Sequence, residues 1–290
     1  MIVQCKRDGL LSACQLVGAA AAGRTTKPIL ASIKAIAQQD RLTLIATDLE
    51  IGIRYELLGV DVEQGGEAIL PVNRLISILR ESQDNDIAID ADERRCRVNT
   101  SSSEYEMPTE DPGDFPDIPV FADSKFVEIP AGVLSSMIRR TVFAAAKQDT
   151  KFAITGILWE VEEKKLRLVA TDTKRLAVTL GDLTVQGGLE TKGQSHLVPT
   201  KAMNLLERTL SDGDDAQLIR ISLRPNEALF QTDKSTIYTR LVEGRYPPYR
   251  DIIPKKALAK IPLVVESFLG AVRQAAIMTD DESKNGRIAL

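Results

Sequence analysis

Residues 166–177 read LRLVATDTKRLA, and the reading of this stretch decides the fold. An alternating apolar run, Leu166, Leu168 and Ala170, ends in Thr171 and Asp172, whose side chains bond local backbone more readily than they continue a strand. The pattern predicts strand, tight turn, strand. Residues 42–51, LTLIATDLEI, carry the same apolar-x-apolar-apolar-Ala-Thr-Asp core about a domain's length earlier.

The flanks repeat as well. An apolar, Ala-rich segment from Leu10 to Ala22 precedes the first copy. Val133 to Ala146 precedes the second, with Leu134, Met137, Ile138, Thr141, Val142 and Ala145 at helical spacing. After the first copy comes Ile69-Leu70-Pro71 and a helical pattern through Val72, Leu75, Ile76 and Leu79. After the second comes Leu197-Val198-Pro199 and another through Ala202, Leu205, Leu206 and Thr209. Proline suits a helix start because its missing donor would be unpaired there. Each unit closes on an aromatic-Pro pair, Phe115-Pro116 and Tyr246-Pro247.

A third copy begins at Ile261-Pro262, the echo of Ile129-Pro130, and continues through Val265, Phe268, Leu269, Val272 and Ala276. Only about 35 residues remain for it, too few to bury a core. The expectation is two complete repeats and the head of a third, with the chain a fragment of a longer protein. Domains are expected at 1–122, 127–250 and 256–290.

Composition is that of a soluble globular protein, with no run apolar enough to cross a bilayer and no signal-peptide pattern, which predicts a cytoplasmic location. Cys5, Cys14 and Cys96 are odd in number and lack metal-binding spacing. The 37 Lys and Arg against 41 Asp and Glu leave a net charge of -4, so any anionic partner must be met by distribution and not by sum. Arg74 and Arg80, Ser136, Arg139, Arg140 and Lys147, and Lys201, Asn204 and Arg208 fall on polar helix faces. Acidic residues gather in turns and strands at 84–92, 104–117, 160–163 and 212–215.

Catalytic signatures are missing. His196 is the single histidine, no nucleotide-binding glycine motif occurs, and no cofactor or metal is expected. Asp48 or Asp172 as an acid or base is the alternative from the enzyme class. Their equivalent positions in two repeats argue instead for turns held by backbone hydrogen bonds.

The run 166–177, its twin from Leu42, the loop 241–254 (LVEGRYPPYRDIIP) and the terminal 275–290 together resemble the family of the bacterial DNA polymerase III beta subunit, the replicative sliding clamps. The resemblance extends in order from Met1 to Leu290. It implies an α+β DNA clamp fold of repeated two-layer domains, outer antiparallel sheets and inner helices, with the third domain here incomplete. It further implies a head-to-tail dimer ringing double-stranded DNA, a non-catalytic processivity role, and docking of the polymerase III catalytic subunit, the clamp loader and other motif-bearing proteins. A clamp-like adaptor that binds such ligands without encircling DNA is the other alternative.

Residue by residue, the resemblance assigns DNA contact to Arg24, Gln148, Lys151, Phe152 and Lys201, to which the helix faces add Arg74, Arg80, Arg139 and Arg140. Phe152 is followed by Ala153 where the family often has a second aromatic. The peptide-binding groove maps to Ile154, Thr171, Thr173, Lys174, Arg175, Leu176, Pro247 and Ile252. There Thr173-Lys174 replaces the common Gly-His, Asp251 stands where Arg is usual, and the family's Met-Pro-x-Arg-Leu tail has no counterpart. The dimer interface maps to Phe115, Ile277 and Met278, and without the rest of a third domain no stable closed dimer is expected.

Overall fold

The computed structural model describes residues 1–23, 25–147, 153–189, 193–211, 213–254, 256 and 259–277. The chain forms two compact units, Met1–Pro247 and Pro248–Leu290.

In the first unit the chain runs β1 (Ile2–Lys6), α1 (Arg7–Gly18), β2 (Ile33–Gln38), β3 (Arg41–Thr47), β4 (Ile51–Leu58), β5 (Asp61–Gln64), β6 (Gly66–Leu70), α2 (Val72–Glu81), β7 (Asp86–Ala91), β8 (Arg95–Asn99) and β9 (Glu104–Pro108). It then repeats that order as β10 (Phe126–Pro130), α3 (Ala131–Arg139), β11 (Gly156–Glu162), β12 (Lys165–Thr171), β13 (Leu176–Asp182), β14 (Thr184–Gln186), β15 (Gln194–Pro199), α4 (Thr200–Ser211), β16 (Leu218–Leu223), β17 (Glu227–Gln231) and β18 (Ser235–Arg240). The quoted stretch is the antiparallel β12–β13 hairpin, with Thr171 opposite Leu176 and Leu168 opposite Thr179. Leu166, Leu168 and Ala170 are fully buried, as their alternation requires.

Strand order shows how the repeats join. A five-stranded sheet reads β5-β1-β7-β8-β9 and a four-stranded sheet reads β13-β12-β11-β15. The nine-stranded sheet between them reads β14-β10-β16-β17-β18-β4-β3-β2-β6. It is the second repeat's five strands fused to the first repeat's four through the antiparallel pair β18–β4, where Ile237 faces Ile53 and Thr239 faces Ile51. Continuous backbone pairing satisfies two strand edges that would otherwise be open to other chains.

Helices of the two repeats adjoin: α2 packs on α1, α1 touches α4, and α4 packs on α3. Apolar residues at helical spacing make this possible, Val72, Leu75 and Leu79 on α2 and Ala202, Leu205 and Leu206 on α4 all being buried. One core runs through both repeats, from Leu10 and Leu44 to Trp159 and Phe230, whose rings meet at 5.5 Å between centroids.

Two expectations need correction. The helix expected across Val133 to Ala146 stops at Arg139 and gives way to a 3-10 turn at Val142–Ala144. At that end the fully buried Thr141 donates its hydroxyl to the Met137 and Ile138 carbonyls at 2.9 and 3.2 Å, which satisfies two acceptors the helix leaves open. Phe115, assigned to an interface, is 5% exposed in a small cluster with Ile29, Leu30, Ile45 and Ile69. It is core packing and presents no surface.

The second unit holds a 3-10 turn, Tyr249–Ile252, and α5 (Val265–Ala276). The apolar spacing read from the sequence does form this helix, and none of its residues is buried.

Candidate nucleic-acid and peptide interfaces

The twin turns share one design. In the first, Asp48 Oδ1 accepts from the Glu50 and Ile51 amides at 3.0 and 2.8 Å, while the Thr47 hydroxyl accepts from Leu49 N and donates to the Ile51 carbonyl. In the second, Asp172 Oδ1 accepts from Lys174 and Arg175 at 3.0 Å each, and Thr171 accepts from Thr173 N and donates to the Arg175 carbonyl. Leu49 and Thr173 occupy the left-handed region, at φ 78° and 74°, held there by these bonds. Burial raises each carboxyl pKa, but hydrogen bonds and a neighbouring cation outweigh it and hold both below the ordinary carboxylate range. Carboxylates so committed are turn anchors, which removes the acid-base alternative.

Divergence between the turns lies in the second carboxylate oxygen. Asp48 Oδ2 reaches across the repeat boundary to Lys201 Nζ on α4. Asp172 Oδ2 stays within its own turn, bonded to Arg175 Nε at 3.0 Å. The position that is buried Ile51 in the first turn is Arg175 in the second, its side chain 54% exposed and its guanidinium 5.3 Å over the Phe143 ring. One turn is therefore a joint between repeats. The other presents Thr173, Lys174 and Arg175 to solvent.

Around this second turn the structure gathers part of the expected groove. Leu176 is half-buried, Thr171 and Ile154 are buried, and Pro247 follows Tyr246, whose hydroxyl donates to the Val169 carbonyl at 3.2 Å and docks the loop on β12. Ile252 belongs to the second unit and is 67% exposed.

Of the residues assigned to DNA, Arg80 and Arg140 are exposed at helix ends, and Arg139 is exposed with Glu207 at 4.0 Å. Arg74 is exposed and lines a shallow depression with Ser77, Ile78, Glu104, Tyr105 and Glu106. Lys201 keeps its side chain half exposed while paired with Asp48. Arg24, Gln148, Lys151, Phe152 and Met278 lie outside the described residues, and Ile277, in the second unit, is 80% exposed.

Three features escaped sequence reasoning. Tyr105, 42% exposed on the edge strand β9, sits inside a segment read only as acidic. Phe143, 55% exposed, was absorbed into an over-long helix. The Asp48–Lys201 pair spans 153 residues and left no local signal.

Burial pushes the Cys5 and Cys96 thiols up to about 11 and about 12, and Cys14 higher still, so none is a reactive thiolate at neutral pH. Among the described residues no cluster could hold a metal ion, and no helix is long and apolar enough to cross a membrane.

Comparison with known proteins supplies the family. Residues 1–119 match the model of the DNA polymerase III beta subunit N-terminal domain, and residues 128–248 match that of its central domain. The beta sliding clamp of Halalkalibacterium halodurans is 29% identical over 98% of this chain and 76% of its own length. That of Escherichia coli K12 is 28% identical, again over 98% and 76%. A crystal structure of the DNA polymerase sliding clamp from Bacillus subtilis superimposes with a TM-score of 0.86 at 26% identity, covering 97% of this chain and 75% of that one. This chain belongs to the DNA polymerase III beta subunit family, the beta sliding clamps.

Proposed function

We propose that the protein is a processivity clamp: it surrounds duplex DNA, slides, and tethers the replicative polymerase without performing chemistry itself. The observation that carries this is the nine-stranded sheet that crosses the repeat boundary beside adjoining helices. A continuous strand layer can extend from repeat to repeat into a closed wall. Cations on α2, α3 and α4 meet phosphates without reading bases, which suits sliding. Domains at 1–122 and 127–250 are the building blocks of that wall, and 256–290 is the start of a third.

Closure requires a complete third domain, and then uses a head-to-tail pair, the first domain of one subunit against the third of the other. Tyr105 on the edge strand β9 contributes on one side, and Ile277 with Met278 on the other. Partner proteins, including the polymerase III catalytic subunit and the clamp loader, dock a short peptide near Leu176 and Pro247 with Lys174 and Arg175 as a basic rim. The setting is the cytoplasm, where chromosomal DNA and these partners meet. The DNA-binding set is Arg24, Gln148, Lys151, Phe152 and Lys201, with Arg74, Arg80, Arg139 and Arg140 from the helix faces.

Loading onto nicked circular duplex, with clamp loader and ATP, tests the topology. Protein that stays on the circle through high-salt gel filtration and is released when the circle is cut supports encirclement. Equal retention on linear and circular DNA would show surface binding instead, the property of an adaptor.

A further inference from the structure

Lys201 is assigned to DNA, yet its ammonium already has an anion. Asp48 Oδ2 holds it across the repeat boundary, while Asp48 Oδ1 holds its own turn. Together the two residues border a cleft of about 380 Å3 whose wall also carries Thr25, Thr26 and Lys27, a lining of hydroxyls and ammoniums suited to a phosphate oxygen. The twin turn provides an internal control. Asp172 satisfies its second oxygen with Arg175 beside it in the chain and reaches no other repeat.

Resting on the clamp reading, we propose that Asp48 is a positioning residue for DNA, an internal carboxylate that occupies Lys201 in place of a backbone phosphate and must be exchanged for one when DNA passes. Lys201 has two stable partners of the same charge. When a phosphate is near it moves onto DNA, and when the phosphate leaves Asp48 takes it back without leaving a bare cation. The exchange flattens the energy profile along the duplex, because each lost phosphate contact is replaced at once. Ground-state affinity is correspondingly lower than the cationic lining alone would give.

The test is the salt dependence of binding to a short DNA duplex by the full chain. Asp48→Asn keeps an amide oxygen for the Glu50 and Ile51 amides and removes the charge facing Lys201. It should bind more tightly than the parent and steepen the log-log salt slope by about 0.9, the equivalent of one further phosphate contact. In a Lys201→Met background the same change should have no effect, and Asp172→Asn should leave the slope unaltered. Melting temperatures of each variant separate loss of the inter-repeat joint from the DNA effect. An Asp48→Asn slope equal to the parent's, or a steepening that persists without Lys201, overturns the proposal. If Lys201→Met itself changes nothing, the placement of DNA at this face falls too, so the two failures are distinguishable.

Discussion

At the scale of the residue, the recurring device is an aspartate whose two oxygens do different work. Oδ1 anchors a tight turn in both repeats, and Oδ2 meets Lys201 in one and Arg175 in the other. The choice follows from one position three residues on, buried Ile51 or exposed Arg175. His196 offers a pH test at the same scale. It lies opposite Trp159 in the β11–β15 ladder, half-buried, its Nδ1 without a partner among the described residues. Burial disfavours the imidazolium and lowers the pKa from its ordinary 6.5. The unfolded chain thus binds the proton first. Stability should be full above pH 6.5 and fall as pH drops from there toward the folded value, by up to about 1.4 kcal/mol per pH unit for one group. Denaturant titrations between pH 7.5 and 5 should show this decline in the parent and a shallower one in His196→Gln; equal slopes would place the proton elsewhere.

At the scale of the element, α2 and α5 begin where the apolar spacing predicts, at Val72 and Val265, while α1 and α3 begin two or three residues earlier than read. Pro71 and Pro130 sit just before α2 and α3, at positions needing no amide donor. α3 stops at Arg139 although the apolar pattern continues, and the buried Thr141 hydroxyl serves carbonyls left open at its end. Gly187, after β14, shows the same local control. Its φ is +68°, and an added Cβ would stand 2.1 Å from the Ser124 carbonyl oxygen, a backbone atom that cannot step aside. Gly187→Ala should cost roughly 2 kcal/mol or more and loosen β14 from β10. Hydrogen exchange should report it as faster exchange confined first to Phe126–Pro130 and Thr184–Gln186, the paired segments.

For the whole molecule, the joint at β18–β4 makes the two repeats one sheet and one core. They should therefore unfold together. Calorimetry should show one main transition with matching calorimetric and van't Hoff enthalpies; two separated transitions would mean the seam adds little. The hairpin of residues 166–177 and the order of elements through both repeats were readable in the chain, because alternation, helical spacing and Thr-Asp turn chemistry are set by residues a few positions apart; the family came from the resemblance of the quoted motifs. Tertiary structure alone decided that Phe115 is interior, that Arg74 borders a depression with residues of β9, that Tyr105 lies on an edge strand, and that Asp48 meets Lys201. Those outcomes depend on which surfaces packing brings together, across 153 positions for Asp48 and Lys201, and no local pattern encodes a partner that far away.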